Sequence, residues 1–264
     1  MIESINDYIK YVKKEKKLIL LFQFLILFVF IVLWEILSMT EIIDPFVFSS
    51  PSKVFKLFIE YLRTSELLRH TFVSTYEVII GLFIGTILGI LIAIILFEIP
   101  ILSKILQPYL IVLNALPKTA LAPIIIIWVG ANIKGIIVVT ISISLIITVI
   151  NALNSFLNVD EEKIKLLKTF NANRIQILRY LILPSNIGEI INIIKINIGM
   201  SWIGVIVGEF IVSKEGLGYL ITYGTQVFRL DLVMMGIITL AIVTILMYGL
   251  LNLIIKLYVK YRGW

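Results

Sequence analysis

The side chains that could bind or conduct a polar solute lie in two stretches of a mostly aliphatic sequence. Lys118 follows Pro117 and stands one helical turn after Asn114. Trp202 and Glu209 are seven residues apart, so a helix would carry both on one face. Ionisable groups at membrane depth are costly and usually face a bundle interior or a wet path. These five residues are therefore our candidates for a translocation path.

Each candidate has a structural interpretation beside the functional one. Lys118 could be a cation for the passage of an anionic solute, a structural partner of Glu209, or a side chain that reaches back to the membrane interface. Trp202 and Glu209 could line a gate. They could equally serve helix packing, because three glycines in the same stretch let another helix approach closely.

Catalytic and metal-binding chemistry is disfavoured by composition. The 264 residues include one histidine, His70, and no cysteine, which excludes a disulfide scaffold, a thiolate metal site and an iron–sulfur centre. An intramembrane enzyme would need a carboxylate pair, a metal cluster or an activated nucleophile at membrane depth. The sequence also lacks the G-x-x-x-x-G-K-S/T loop that cradles nucleotide phosphates. We expect no catalytic residue, no metal and no cofactor on this chain.

The composition is that of a membrane protein, with 60% hydrophobic and 15% charged residues and a mean hydropathy of +1.06. A transmembrane helix needs roughly 20 mainly apolar residues. Six stretches satisfy this: Leu18–Met39, Phe72–Phe97, Ile105–Trp128, Gly135–Leu157, Ile187–Val212 and Leu232–Leu257. The sequence therefore predicts one all-α domain over 1–264 that crosses the bilayer about six times. Three prolines interrupt the third stretch and predict irregular backbone there.

The positive charges lie between the apolar runs, which argues against a nucleic-acid-binding surface despite the net charge of +6. With six spans, segments 1–17, 98–104, 158–184 and 258–264 share one side and carry thirteen Lys and Arg, against seven on the other side. The positive-inside rule then places both termini and the 158–184 loop in the cytoplasm.

Gly81, Gly85 and Gly89 recur every four residues in the second stretch. Small residues at this spacing form a ladder against which another helix can pack. We interpret the ladder as packing within the bundle in preference to a subunit contact.

The 158–184 loop has the caps of two short helices. Acidic residues 160–162 begin the first, and Asn171 stands where it should end, because asparagine tolerates left-handed backbone. Asn173 with Gln176 predicts an N-cap for a second helix from Arg174 to about Leu183. Such an elbow could dock a partner or lie on the membrane surface. The residues alone leave both open.

This loop resembles the cytoplasmic "EAA" motif of permease subunits of ATP-binding-cassette importers. The motif ends I-x-L-P, and the chain has Leu181-Ile182-Leu183-Pro184. It departs from the motif where Asn171 replaces glycine and where 165–167, Lys-Leu-Leu, replaces Glu-Ala-Ala. Asparagine preserves the turn, whereas Lys165 removes or reverses a contact with the ATPase.

The resemblance covers nearly the whole chain and narrows to the sulfonate, nitrate and taurine branch. The matching pieces, in order, are Ser50-Pro51-Ser52, the run ALPKTALAP over 115–123, Trp128-Val129-Gly130, then Trp202, Glu209 and Gly216-Leu217-Gly218-Tyr219. Together in this order they are highly specific to the branch.

The resemblance implies a MetI-like (type I) bundle that pairs as a homodimer in the plasma membrane of a prokaryote. It implies two cytoplasmic ATPase subunits that carry ATP and Mg, and an extracytoplasmic solute-binding protein. The solute would be a small anion such as a sulfonate, taurine or nitrate. A self-sufficient secondary transporter or channel is the alternative. The ATPase-coupling residues it implies are Lys165, Leu166, Leu167, Asn171, Ala172, Asn173, Arg174, Ile177, Leu178 and Pro184.

Overall fold

The computed structural model describes residues 5–262, with side chains described from residue 10 to residue 257. Residues 1–4 and 263–264, at the two predicted cytoplasmic termini, lie outside the described residues. The described chain consists of helices joined by short turns and contains no strand. The helices are α1 Ile5–Met39, α2 Pro45–Phe48, α3 Pro51–Arg63, α4 Glu66–Glu98, α5 Pro100–Ala115, α6 Lys118–Val129, α7 Ile133–Leu157, α8 Glu161–Thr169, α9 Arg174–Ile177, α10 Leu183–Ser185, α11 Ile187–Val212, α12 Leu217–Gln226 and α13 Leu230–Arg262.

Five helices of the described chain are long and apolar enough to cross a bilayer: α1, α4, α7, α11 and α13. They contain the first, second, fourth, fifth and sixth predicted spans, and α11 has the predicted bounds. α4 begins six residues before the predicted span, so His70 lies inside it.

The third predicted stretch, Ile105–Trp128, is broken, as its prolines predict. Helices α5 and α6 meet there at an angle of 97°. The break falls at Leu116 and Pro117, where extended backbone follows the end of α5. Proline cannot donate a helical hydrogen bond and pushes the residue before it out of the α region. The pair is a broken span or a re-entrant segment.

Helices α4, α7 and α11 form the centre of the bundle. The glycine ladder of α4 packs against α7, where a Cβ at Gly81, Gly85 or Gly89 would come within 3 Å of Thr140, Ser144 or Thr148. The interpretation as packing within one bundle is confirmed. Three contacts at one spacing fix the register of the two helices, since any larger side chain would push them apart.

A buried amide joins the three central helices. Asn197 of α11 donates from Nδ2 to Thr86 of α4 and to Thr148 of α7, both at 2.7 Å. The asparagine is fully buried. Because a polar group in an apolar medium stabilises only when it is bonded, this contact fixes how the three helices pair.

Helix α1 lies at the edge, and of its described side chains only Ser38, near its C-terminal end, is buried. It is attached at one end only, where Ser52 N donates to Glu35 at 3.0 Å and Ser38 Oγ donates to Ser49 O at 2.9 Å. Its long apolar surface is therefore left to lipid or to another chain.

Candidate functional site

The turn between α8 and α9 has the geometry that the sequence predicts. Asp160 caps α8 by accepting from Glu162 N at 2.9 Å, and α8 ends at Thr169. Asn171 adopts φ +58°, the left-handed conformation expected of it. Asn173 and Gln176 form a capping box, each side chain bonded to the other's backbone N–H at 2.8 Å. The elbow is thus held by bonds within its own sequence.

The second helix of the elbow differs from the prediction in its interior. It is α-helical over α9, has a π-helical turn over Leu178–Ile182, and continues as α10. In that turn Leu183 N donates to Leu178 O, one residue further back than in an α-helix. Pro184 has no N–H, so the wider turn lets the chain keep its helical direction past a missing donor. Pro184 lies within α10, and α11 begins after Asn186.

The elbow is attached firmly to the bundle on one side. Ile177 is 5% exposed and packs in a cluster with Phe156 of α7 and Leu96 of α4. Arg174 donates from Nη1 to the carbonyl of Glu98 at 2.7 Å, which satisfies the C-terminal end of α4. Ala172 and Leu178 pack against the same cluster. The elbow therefore contacts both α4 and α7.

The opposite side of the elbow is open and apolar. Phe170 is 74% exposed, Ile175 70% and Leu166 58%. Lys165 is also exposed and lies 3.6 Å from Glu161. A solvent-facing ion pair of this kind contributes little to stability. Large apolar side chains grouped on a polar segment are typical of a surface that receives a partner.

Lys118 lies at the break between α5 and α6. Its Nζ donates to the carbonyl of Asn114 at 3.1 Å and to Asn114 Oδ1 at 3.2 Å. α5 ends at Ala115, so the ammonium supplies a donor to one of its last carbonyls. The interpretation of Lys118 as a partner of Glu209 is wrong, because both Glu209 oxygens are bonded elsewhere.

Glu209 caps the turn that precedes α12. Its Oε1 accepts from Ser74 Oγ and its Oε2 from Gly218 N, both at 2.6 Å. Ser74 Oγ in turn accepts from Leu217 N at 2.7 Å. The carboxyl group is 1% exposed and sits where a Cβ at Gly216 would come within 2.2 Å of Oε1. A side chain at either glycine of Gly216-Leu217-Gly218 would therefore collide with the Glu209 carboxylate.

Several further residues at this end were missed by sequence reasoning. His70 Nδ1 accepts from Gly216 N at 2.9 Å, and its ring stacks on Tyr219. Glu77 is 1% exposed, adjoins Glu209, and its Oε2 has no donor among the described residues. Arg69 pairs with Glu215 at the rim. Glu77, Ser74 and His70 recur at three- and four-residue spacing on α4, which is the signal that could have indicated them.

Trp202 shares the face of Glu209, as predicted, and this face points into the bundle. Trp202 is 4% exposed and packs with Leu82 and Val205 in the core. Its indole Nε1 has no acceptor among the described residues. Among the described residues, no group of three or more Asp, Glu, His or Cys side chains could hold a metal ion. The carboxylate pair Glu77–Glu209 is therefore not part of such a group. The roles of Trp202 and Glu209 in a translocation path stay predictions.

Apolar spanning helices, with a capped elbow attached to the bundle between α7 and α11, define the class: a polytopic membrane protein. Residues 85–261 match the family described as "Binding-protein-dependent transport system inner membrane component". The chain belongs to this family of ABC importer permeases, in which ATP hydrolysis is carried out by a separate ATPase chain. The family implies a solute-binding protein and an ATPase as partners.

Individual relatives differ in the solute that their names give. The riboflavin transport system permease protein RibX of Chloroflexus aurantiacus is 30% identical over 61% of this chain and 60% of its own length. The putative aliphatic sulfonates transport permease protein SsuC of Bacillus subtilis is 27% identical over 82% of this chain and 79% of its own. The MetNI methionine ABC transporter superposes with a TM-score of 0.66 at 15% identity, covering 74% of this chain and 96% of that chain, which shows the fold.

Proposed function

We propose that this chain forms the translocation path of an importer and couples it to ATP hydrolysis through the 158–184 elbow. The observation that carries the proposal is the two-sided elbow. One side is anchored by Ile177 and Arg174, and the other presents Phe170, Ile175 and Leu166. A short capped segment transmits displacement, whereas a flexible loop would absorb it.

In this mechanism two copies of the chain pair with two ATPase subunits that bind ATP and Mg. Closure of the ATPases draws the two elbows together. The contacts of Ile177 and Arg174 carry that movement into α4 and α7, and the bundles alternate between cytoplasm-open and outside-open states. The elbow and both termini are cytoplasmic in this proposal, and α12 faces the extracytoplasmic binding protein.

The solute is proposed to be small and polar. The sequence resemblance implies a sulfonate or nitrate anion, or taurine, which is a zwitterion at neutral pH, and the name of the Bacillus relative supports a sulfonate. The name of the Chloroflexus relative supports a different class. The cation for an anion would be Lys118, whose ammonium is bonded to Asn114. The anion therefore stays a prediction that uptake measurements must test.

The proposal is tested by copurification with the cognate ATPase subunit. Phe170→Glu should abolish copurification, because it places a charge in the apolar contact. Phe228→Glu is the matched control, since Phe228 is 70% exposed at the opposite end of the bundle. If Phe170→Glu retains the ATPase and ATP-driven uptake, the elbow is not the coupling element. Solute movement by the chain alone down an ion gradient would instead support the secondary-transporter alternative.

A further inference from the structure

A polar cleft lies beside the elbow, between the last turns of α7 and the first turns of α11. Its volume is about 510 Å³. Five asparagines and two serines line it, together with Asp160, Lys163 and Glu189. Ile193 and Ile196 of α11 also line it; Ile193 is buried and Ile196 is 42% exposed. No residue that the sequence predicted for the path borders this cleft.

The asparagines of the cleft are of two kinds. Asn186 is 6% exposed and fully engaged, because its Nδ2 donates to Ile182 O at 2.8 Å and its Oδ1 accepts from Ser155. The other four asparagines, Asn151, Asn154, Asn158 and Asn192, make no side-chain hydrogen bond to another described residue. Each free carboxamide offers two donors and an acceptor to whatever enters. Asn186 thus fixes the floor, and the others face the space.

The free asparagines are arranged by helical register. Asn151, Asn154 and Asn158 share one face of α7, and Glu189, Asn192 and Ile196 share one face of α11. Carboxamides on spanning helices are costly against lipid and are expected where water or a polar ligand reaches them. Two facing polar rows that end at Ile196 therefore describe a wet vestibule with an apolar end.

The charge of the cleft does not suit an anion. Asp160 and Glu189 stand against Lys163, a formal charge of −1. The positive end of the α11 dipole is offset by Glu189 in its first turn and by the C-terminal end of α7 opposite. The N-terminus of α8 is also engaged, since Asp160 accepts from Glu162 N at 2.9 Å. The lining groups that bond to no other described residue are therefore the four carboxamides and the side chains of Lys163 and Glu189, whose formal charges cancel.

We propose that this cleft is a binding site on the solute's path, and that it takes an uncharged or zwitterionic molecule with several hydrogen-bonding groups. The proposal rests on the function proposed above and deepens it by naming the solute class. In the proposed orientation the cleft opens to the cytoplasm, so it would hold the solute before release.

The test uses the absence of cysteine from the chain. Asn154→Cys and Asn192→Cys are made singly in the complex with its ATPase, in vesicles of phosphatidylethanolamine and phosphatidylglycerol. Labelling rates are measured with trimethylammonioethyl and sulfonatoethyl methanethiosulfonate. Each labelling rate is divided by the rate at which the same reagent reacts with a small neutral thiol in solution. On this scale we expect the cationic reagent to react about threefold or more faster than the anionic one. Glu189→Gln should remove that preference, and Glu161→Gln, outside the cleft, should leave it.

A site on an alternating path must also change its access with nucleotide. Trapping the complex with ATP and orthovanadate should slow labelling at both cysteines by about tenfold or more. A preference for the sulfonate reagent, or labelling that is indifferent to trapping, would overturn the proposal. Slow labelling in every state that becomes fast in detergent would show a lipid headgroup in the cleft and would overturn it too. A complex that fails to assemble or to hydrolyse ATP would contradict the proposed function itself, before any labelling is done.

Discussion

The two ends of the bundle use their polar groups in opposite ways. At the α12 end, Glu209, Ser74 and Glu77 are buried and connect segments that are far apart in the chain. At the elbow end, Asn173 and Gln176 are exposed and bond to each other's backbone three residues away. Large apolar side chains are exposed at both ends, Phe228 at the first and Phe170 and Ile175 at the second.

This difference shows where the fold is fixed and where a partner can act. A buried polar network has one good geometry, because any unmade bond inside it costs the full desolvation of the group. Local caps stiffen a segment without occupying its outer face. The α12 end therefore holds the bundle together, and the elbow can be pushed by another protein without losing its shape.

The largest effect that would test the comparison is expected at Gly216. Gly216→Ala puts a Cβ 2.2 Å from Glu209 Oε1, on backbone with φ +111°. Overpacking and left-handed strain each cost about 1–3 kcal/mol, so we expect a loss of more than about 3 kcal/mol of stability. Yield and the thermal unfolding midpoint of the purified protein measure it.

Gly188→Ala is the matched control at the elbow end. A Cβ at Gly188 meets no described atom within 4 Å, and its backbone is helical. Alanine there should be neutral or stabilising by up to about 1 kcal/mol. Equal melting of the two variants would contradict the view that Glu209 encloses its turn.

The two buried carboxyl groups should respond differently to the same change. Glu209→Gln replaces one acceptor by a donor that faces Gly218 N–H or Ser74 O–H, at a cost of about 1–3 kcal/mol. Glu77→Gln should be neutral or stabilising. The new amide N–H can donate to the adjoining Glu209, and the substitution leaves one carboxylate there instead of two. Thermal unfolding of both variants gives the comparison. A larger loss for Glu77→Gln would show that Glu77, not Glu209, organises this end.

A smaller effect on stability is expected at the elbow turn. Asn171 has φ +58°, and Asn171→Val forces a β-branched residue into left-handed backbone at a cost of about 1–2 kcal/mol. The bundle should still insert, while copurification of the ATPase and its stimulated activity should fall. Asn171→Gly, which tolerates this backbone, should keep both. Unchanged stimulation in the valine variant would mean that the turn does not hold the coupling surface.

The success of sequence reasoning follows the same division. The elbow could be predicted because its bonds are local: Asp160 with Glu162, and Asn173 with Gln176. The glycine ladder of α4 could be predicted because its spacing lies on one helix. The π-turn before Pro184 was not predicted, since a helical pattern alone does not show how a missing donor is accommodated.

The α12 end could not be predicted, because Ser74 and Glu209 are 135 residues apart in the chain. Nothing in a single sequence pairs them. Lys118 was considered as a partner of Glu209 because it carries the opposite charge, whereas the structure satisfies Glu209 with a hydroxyl and a backbone N–H. The interruption of the third apolar run could be predicted from its prolines, whereas the angle between α5 and α6 could not be predicted from hydropathy.

The smallest effect on stability is expected at Lys118, where the two remaining sequence interpretations can be separated. Its bonds to Asn114 are exposed and contribute under about 1 kcal/mol. Lys118→Gln should therefore melt close to wild type, and adding Glu209→Gln should restore nothing, because the two side chains do not meet. If the solute is uncharged or zwitterionic, as the asparagine cleft indicates, ATP-driven uptake by Lys118→Gln should stay within about twofold of wild type. The assay uses the ligand of the cognate binding protein, with Lys118→Arg as the charge-conserving control. A tenfold or larger loss in Lys118→Gln that Lys118→Arg restores would make Lys118 the path cation and the solute an anion.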